Sequence, residues 1–156
     1  MRRSDREITD FQEIIAVMNC CDVCRLGLVD SSGRPYIVPL SFGLELKGKQ
    51  ISLYFHSANE GKKLDLIRQG SPVCFEMDCA HQPVFQETMC RCTMKYQSVF
   101  GDGVLHFVEE AEKAAALRLL TAHYFPDHRF DFSPDRVPGT TVLRLDVIHL
   151  SAKQHQ

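Results

Sequence analysis

Short apolar segments separated by turn signals constrain the fold of this chain more than any other feature of its sequence. Segments 23–30, 36–46 and 51–56 carry strand-like patterns, and the stretches DSSGRP (30–35) and KGK (47–49) separate them. Glycine and proline in such stretches interrupt regular structure and favour tight turns. Neighbouring short strands joined by tight turns pair in antiparallel fashion, so this half of the chain predicts an antiparallel sheet.

Further segments extend this pattern and add helices. Strand-like segments follow at 71–78, 94–109 and 140–152. Helical patterns cover 11–20, 61–70 and 109–125. A sheet with this many strands closes into a barrel or needs cover at its edges. The sequence therefore predicts a mainly β fold, a small β-barrel of about six antiparallel strands with about three helices packed outside it.

Local signals refine this picture. Asp10 can cap the first helix, and the glutamate three positions later would complete a capping box. Pro39 lacks an N–H group, which predicts an edge or a bulge in the second strand. Gly101 and Gly103 predict a bulge or sharp bend in the fifth strand. Residues 79–93 show no clear periodicity and predict a long loop.

Length and charge exclude several classes of function. The chain has 156 residues and a net charge of −2, so we expect one domain over residues 1–156 and neither nucleic acid nor a membrane surface as a partner. The N-terminal segment MRRSDREITD carries no apolar run after its arginines, and no segment approaches the roughly 20 apolar residues of a membrane span. A cytoplasmic location is the expectation.

The cysteines leave two interpretations open. The chain contains seven, and four of them form the patterns Cys21-Asp22-Val23-Cys24 and Cys90-Arg91-Cys92. Four thiolates of this kind could form a tetrahedral zinc site. Alternatively they are reduced small residues on a strand and a loop, and the absence of glycine-rich knuckle turns favours this interpretation. We therefore expect no metal site.

The segment SANEGKK, residues 57–63, points to an anionic ligand. Gly61 allows close approach of the backbone to a ligand, and Lys62 and Lys63 follow at the start of the second helix. Free N–H groups and the helix dipole favour an anion at this position, and the ammonium groups suit a phosphate ester. The alternative is a solvated basic helix start, although cations there oppose the dipole.

The segments GRPYIVPLSFG, LYFHSANEGKKLDLI and MKYQSVFGDGVLHFVE resemble the pyridoxamine 5'-phosphate oxidase-like flavoproteins. The stretch from His56 to Lys63 resembles their nitroimidazole-resistance branch in particular. The resemblance covers nearly the whole chain. It implies a split β-barrel that forms a homodimer, with FMN in the cleft between the two subunits.

The resemblance also implies which residues hold the cofactor. The isoalloxazine ring would lie beside the second strand, the end of the third strand would continue that wall, the lysine pair would hold the phosphate, and the fifth strand would contact the flavin. His56 would lie near the ring or ribityl chain, where it could donate a hydrogen bond or a proton. The residues concerned are Val38, Pro39, Leu40, Ser41, Phe55, His56, Ser57, Lys62, Lys63, Tyr96, Gln97 and Ser98.

Departures from the oxidases narrow the expected activity. The chain ends in DVIHLSAKQHQ and lacks the arginine-containing C-terminal segment that recognises pyridoxal phosphate, so vitamin B6 oxidation is not expected. The resemblance implies an FMN-dependent oxidoreductase that takes electrons from a reduced nicotinamide or a protein donor. The acceptor would be a small planar molecule such as a nitroaromatic compound. The alternative is a non-catalytic flavin- or haem-binding or sensing protein, with His56, His81 or the cysteine-rich loop as an iron ligand.

Overall fold

The computed structural model describes residues 3–87, 91–132 and 139–155. Within these ranges the chain forms one antiparallel sheet of eight strands, in the order β3-β2-β6-β7-β8-β5-β4, with the short β1 paired to β8. The strands are β1 (Glu7–Ile8), β2 (Cys24–Val29), β3 (Pro35–Leu40), β4 (Phe42–Lys47), β5 (Gln50–Ala58), β6 (Val73–Gln86), β7 (Arg91–Phe107) and β8 (Thr140–His155). The helices are α1 (Phe11–Cys20), α2 (Lys62–Arg68) and α3 (Glu110–Tyr124).

The sheet is curled into a barrel that does not close. Strands β3 and β4 lie at opposite ends of the strand order, yet Ser41 alone separates them in the chain. The sheet must therefore bend until its two edges are one residue apart. This is a split β-barrel with flanking helices, so the predicted fold class is confirmed. The segment 36–46, predicted as one strand, is two strands because the chain passes from one edge to the other at Ser41.

The helices begin and end where the local signals place them. The carboxylate of Asp10 accepts a hydrogen bond from the N–H of Glu13 at 2.9 Å, which caps α1. Helix α2 ends at a left-handed Gly70 (φ +74°), and the N–H of Ser71 bonds back to Leu66. No helix in the described ranges is long and apolar enough to cross a membrane.

The prediction of a loop over 79–93 is wrong for the described part of that segment. Strands β6 and β7 continue through it as a long hairpin, in which Val84 pairs with Thr93 and Gln82 with Lys95. The register shifts between Cys79 and Gln82, so side chains on the two sides of the shift do not follow one alternation. Backbone pairing holds these residues in the sheet, and the sequence pattern does not show it.

Other predicted irregularities are confirmed. Pro39 lies on β3, which among the described strands pairs with β2 alone and is therefore an edge strand, a position that tolerates proline. The pairing of β7 with β8 shifts register between Asp102 and Gly103, where a bulge was expected. An added Cβ at Gly103 would lie 2.1 Å from the carbonyl oxygen of Asp146, so the strands can approach there only with glycine.

The core fills the barrel and the space under α1 and α2. Alternate residues of the strands point inward, as in β2, where Cys24, Leu26 and Leu28 are buried between exposed or half-buried neighbours. The largest fully buried side chains are Phe42, Phe55, Phe75, Met18, Leu26, Leu28, Leu53, Leu64, Met77, Leu143, Leu145 and Val17. Helix α3 packs separately, over the outer face of β4 and β5.

Candidate functional site

The lysine pair lies beside the edge strand β3. The ammonium group of Lys62 is 4.9 Å from the centre of the Tyr36 ring and 4.0 Å from the Asp30 carboxylate in the β2–β3 turn. Gly61, immediately before α2, has φ +130°, and a Cβ added there would meet nothing within 4 Å. The basic segment therefore faces open space next to the strand that was expected to lie along the flavin ring.

Helix α2 contributes less to anion binding than its sequence suggested. It contains only seven residues, Lys62–Arg68, and Gly61 provides no side-chain cap. A helix of two turns has a small dipole, and its effect is confined to the first turn. An anion at this position would be held mainly by the ammonium groups of Lys62 and Lys63.

Strand β3 can offer backbone contacts along its free edge. Val38 and Leu40 are half-buried and pack against the core, whereas Pro39 and Ser41 are exposed. In the described ranges β3 pairs with β2 alone, so backbone N–H and C=O groups on its other side have no strand partner there. These groups and the Ser41 hydroxyl are the polar contacts that this strand could make with a planar ring.

The side chains at the end of β5 alternate between the two faces of the sheet, and the prediction that Phe55, His56 and Ser57 contact the flavin stays a prediction. Phe55 is fully buried in the barrel, Ser57 is 6% exposed on the same side, and His56 is exposed on the opposite side. The reason is the alternation of side chains along a strand. Phe55 can reach a ligand only through its backbone, while His56 and Ser57 face different surroundings.

Ser57 has an unusual environment. Its Oγ atom is buried and has no hydrogen-bond partner among the described residues. Thr141, which lies opposite Ser57 on β8, donates its hydroxyl to the side-chain oxygen of Asn59 at 2.8 Å and not to Ser57. A buried hydroxyl without a partner destabilises the fold, so such groups in native proteins call for an explanation. Ser57 lies near the end of β5, the strand that leads into the lysine pair, and a ligand bound at this end of the strand would supply the missing partner.

The segment Tyr96–Ser98 lies far from the lysine pair within one chain. Gln97 pairs with Cys79 of β6, and this pair lies past the N-terminal end of the neighbouring strand β2. Lys62 instead contacts Asp30, in the turn that follows the C-terminal end of β2. At about 3.3 Å per residue, the length of β2 and its flanks separates the two places by more than ~20 Å. The structure therefore brings Lys62 close to β3. Within one chain, Tyr96, Gln97 and Ser98 lie far from both.

The side chains of this β7 segment are already engaged within the chain. The amide of Gln97 donates to the Gln154 side chain at 3.4 Å and lies 3.9 Å from the thiol of Cys79. The Tyr96 ring meets the His155 ring edge-on, and Ser98 is 5% exposed. Tyr96 and Gln97 are half-buried, so both keep some surface that a ligand could reach.

Sequence reasoning missed an apolar cleft on the outer face of the sheet. The cleft has a volume of about 500 Å³ and is lined by residues of β2, β3, β6, β7 and β8. Ile37 and Phe100 line the cleft and are 67% and 47% exposed. Gly27 and Gly101 also line it, and because they have no side chain they leave space between the larger residues. Ile37 and Phe100 stay exposed, so no helix in the described part of the chain covers them. Its strands carry apolar residues at both inward and outward positions, so the sequence gives no signal that separates this surface from the core.

The described cysteines provide no metal site. Cys21 and Cys24 are both fully buried, and among the described residues no group of histidine, cysteine and carboxylate side chains is arranged to hold a metal ion. Cys90, the third ligand of the zinc interpretation, lies outside the described residues.

The fold and the sequence together define the family. The family "Pyridoxamine 5'-phosphate oxidase" matches residues 10–154, and the chain belongs to this family. Within it, the chain is similar to a protein from Bacteroides thetaiotaomicron whose assigned role is 5-nitroimidazole antibiotic resistance. The two share 30% identity and a TM-score of 0.82 over 95% of this chain and 86% of that one. The family and the branch expected from the sequence are thereby confirmed.

More distant structures share the fold. An FAD and haem binding protein from Mycobacterium smegmatis has 18% identity and a TM-score of 0.80, and the match covers 97% of this chain and 74% of that one. A flavocytochrome from Azotobacter vinelandii has 18% identity and a TM-score of 0.78 over 100% and 72% of the two chains. No curated protein matches the sequence. These likenesses show a shared fold.

Proposed function

We propose that this protein binds FMN between two copies of the chain and acts as an oxidoreductase toward a small planar acceptor such as a nitroaromatic compound. The observation that carries the proposal is the position of Lys62, whose ammonium group lies 4.9 Å from the Tyr36 ring on β3. The contact brings Lys62 and β3 together, which supports the proposal that Lys62 holds the phosphate while β3 lies beside the ring.

Each part of the cofactor has a candidate partner. Lys62 and Lys63 would hold the phosphate, and the buried Ser57 hydroxyl would donate to it or to the ribityl chain. The free edge of β3 and the hydroxyl of Ser41 would hydrogen-bond to the ring. Bound flavin supplies the redox chemistry, whereas the protein supplies binding, orientation and a shaped cleft.

The separation within one chain supports a site built from two subunits. Tyr96, Gln97 and Ser98 lie more than ~20 Å from Lys62 along the sheet, so they and the lysine pair would serve one cofactor only from different subunits. The uncovered apolar face around Ile37 and Phe100 is a surface through which a second copy could pack. A homodimer would bury this face and complete the site.

The acceptor and the electron donor follow from similarity and chemistry. The chain is 30% identical to the Bacteroides thetaiotaomicron protein whose assigned role is 5-nitroimidazole resistance, and this similarity supports a nitroaromatic compound as the acceptor. A reduced nicotinamide or a protein would provide the electrons. His56 is exposed at the end of β5, where an imidazole can hydrogen-bond to a ligand or supply a proton near neutral pH. We assign it the proton-donating role.

A flavin titration tests the proposal. The Lys62→Ala, Lys63→Ala double variant loses two charge-assisted contacts, so its FMN affinity should fall about 100-fold or more. The matched control replaces Lys47, the last residue of β4, and Lys49 in the following turn, both exposed, and should bind FMN as the native protein does. Unchanged FMN affinity of the Lys62, Lys63 variant would show that the phosphate binds elsewhere.

The absorption spectrum of the purified protein separates this function from its alternative. Two visible bands of oxidised flavin, with FMN identified by mass spectrometry after release, support the proposal. A Soret band would instead indicate haem, which the FAD and haem binding protein of the same fold binds. Bound FMN that neither a nicotinamide nor a nitroaromatic compound oxidises or reduces would indicate a binding or sensing protein.

A further inference from the structure

A second cavity on the outer face of the sheet is lined by two neighbouring rows of polar side chains. It has a volume of about 710 Å³ and is formed by residues of β4, β5, β7 and β8 with one residue of the turn between β7 and β8 excluded from neither row. None of its lining residues belongs to the candidate flavin contacts. A ligand in this cavity would therefore go beyond the function proposed above.

One of the two rows is acidic. Glu45 of β4, Ser52 of β5 and Asp146 of β8 are register partners on neighbouring strands. The Oε2 atom of Glu45 accepts a hydrogen bond from the Tyr54 hydroxyl at 2.8 Å and lies 3.2 Å from the ammonium group of Lys47. Within the described residues, the other oxygen, Oε1, has neither a hydrogen bond nor an ion pair. The acidic row therefore offers one carboxylate oxygen to a donor from a ligand.

The next row is basic. Arg144 of β8 pairs in register with Tyr54 of β5 and with His106 of β7. Its Nη2 atom lies 3.1 Å from Asp146, which is the one ion-pair partner of this guanidinium among the described residues. The Nε atom is buried and has no hydrogen-bond partner in the described part of the chain. Because a buried donor without a partner is unfavourable, Arg144 has unused capacity to bind an anion.

Arg144 can turn toward a ligand in the cavity. Its side chain is 36% exposed, so the guanidinium as a whole is not enclosed by protein. A small rotation of the side chain would direct the Nε donor into the cavity that Arg144 lines. Asp146 is less available, because both Arg144 and His106 already contact its Oδ2 atom, at 3.1 and 3.4 Å.

The charges of the cavity favour a ligand that carries both signs. Among the lining residues with a fixed charge at neutral pH, Lys47 and Arg144 balance Glu45 and Asp146. A simple anion or a simple cation would leave the filled cavity with a net charge, whereas a zwitterion would not. The two rows are also separated along the strands by two residues, which is about 7 Å.

We propose that this cavity binds an α-amino acid with an aliphatic side chain. Such a molecule, with a hydrogen bond of about 2.8 Å at each charged group, spans ~8 Å, which matches the separation of the rows. Its carboxylate accepts hydrogen bonds from Arg144, and its ammonium group donates to Oε1 of Glu45. Its side chain packs against Val104 and Ile148, which line the same cavity and are 47% and 61% exposed.

Isothermal titration calorimetry of the full chain with L-leucine tests the proposal. Two analogues of leucine each lack one charged group: isocaproate has no ammonium group, and isoamylamine has no carboxylate. Because each analogue loses charge-assisted hydrogen bonds, we expect leucine to bind about 10-fold more tightly than either of them. Glycine, which lacks the aliphatic side chain, should also bind about 10-fold more weakly than leucine.

Two variants assign the contacts. Arg144→Gln removes the charge that holds the carboxylate, so leucine should bind this variant no more tightly than isoamylamine does. Glu45→Gln removes the ammonium contact, so the preference for leucine over isocaproate should disappear. Arg118→Gln changes an exposed arginine of α3 and is the matched control, which should keep the native preferences. Circular dichroism verifies that each variant is folded.

Several outcomes would overturn the proposal. The first is the absence of saturable leucine binding at concentrations up to ~10 mM. The second is an equal loss of affinity for leucine, isocaproate and isoamylamine in folded Arg144→Gln, since that pattern indicates a structural role for the arginine. The third is displacement of leucine by FMN, which would assign leucine to the flavin site. The Lys62, Lys63 titration with FMN is independent of all three, so the two proposals can fail separately.

Discussion

The hydroxyl oxygen of Tyr124, at the end of α3, accepts a hydrogen bond from the backbone N–H of Phe42, the first residue of β4, at 3.0 Å. The same hydroxyl donates to the carbonyl oxygen of Asp22, just before β2, at 2.8 Å. One side chain therefore connects α3 to the starts of two strands that are distant in the sheet order. These two hydrogen bonds hold the backbone next to Ser41, the residue at which the chain passes from one edge of the sheet to the other.

Replacing Tyr124 with phenylalanine should destabilise the fold. The N–H of the buried Phe42 would lose its partner, and an unsatisfied buried group costs about 1–3 kcal/mol of the free energy of unfolding. Urea unfolding followed by circular dichroism measures this. Tyr36→Phe is the control, since no hydrogen bond involves that hydroxyl in the described ranges, and it should change the stability by less than about 0.5 kcal/mol. Equal effects of the two variants would contradict the role of Tyr124.

A methyl group at Gly43 should displace α3. A Cβ built there would lie 2.4 Å from the backbone nitrogen of Leu120, and helix backbone cannot move aside as a side chain can. We expect Gly43→Ala to cost about 1–3 kcal/mol or more of the free energy of unfolding. Gly27→Ala is the matched contrast, because its Cβ would meet the thiol of Cys74 at 2.8 Å, which a rotation relieves. A smaller loss for Gly43→Ala than for Gly27→Ala would show that α3 does not pack as described.

Tyr54 should make the stability fall at alkaline pH. Burial, together with a hydrogen bond to the Glu45 carboxylate at 2.8 Å, raises the pKa of Tyr54 from 10.0 to about 12. The folded chain therefore keeps the proton when the unfolded chain has lost it. The stabilisation that the protonated Tyr54 hydroxyl gives to the folded chain is complete below pH 10 and is lost as the pH rises from about 10 to 12.

Chemical unfolding at several pH values across this range checks the Tyr54 effect. The free energy of unfolding of the native protein should fall more steeply than that of Tyr54→Phe, because all other titrating groups are common to both. Parallel curves would mean that Tyr54 ionises equally in the folded and unfolded chains.

A charge on the uncovered outer face should separate the proposed dimer. Phe100 is 47% exposed in the cleft opposite Glu76 of β6, and a lysine there would lose its water and the apolar contacts of the ring if a second copy packed on this face. We expect Phe100→Lys to weaken self-association about 30-fold or more, measured by analytical ultracentrifugation. Leu46→Lys, at the 41% exposed end of β4, is the control. A dimer that withstands Phe100→Lys would use another surface.

Much of the fold could be predicted because its signals are local. The Asp10 cap, the edge position of Pro39 and the bulge at Gly103 each depend on the chemistry of one or two residues. The split at Ser41 has no such signal, since it depends on how far the whole sheet curls. Residues 79–86 are held in β6 by pairing with β7, which no periodicity within the segment reveals.

The candidate site divides in the same way. Lys62 and Lys63 were identifiable from the glycine and the paired charges, but the contact of Lys62 with Tyr36 requires the tertiary fold. The opposite orientations of His56 and Ser57 follow from strand alternation and could have been predicted. The burial of the Ser57 hydroxyl without a partner could not, because it depends on the residues that surround the end of β5.

Ser57 offers a test in which stability and binding should change in opposite directions. Its buried Oγ has no hydrogen-bond partner within the described residues, so removing it relieves an unfavourable burial. Ser57→Ala should therefore raise the free energy of unfolding of the cofactor-free protein by about 1 kcal/mol. If the hydroxyl contacts FMN, the same variant should bind FMN about 5–10-fold more weakly, since one neutral hydrogen bond is lost.

Ser52 is the matched control for this experiment, because it is a buried serine of the same strand whose hydroxyl donates to Asp146 at 2.8 Å. Ser52→Ala should lower the stability of the cofactor-free protein and leave the FMN affinity unchanged. Thermal unfolding of both apoproteins and fluorescence titration with FMN measure the four quantities. A stabilised Ser57→Ala protein with native FMN affinity would remove Ser57 from the site while leaving the lysine pair in place. A destabilised one would show that the hydroxyl has a partner in the folded protein without any ligand.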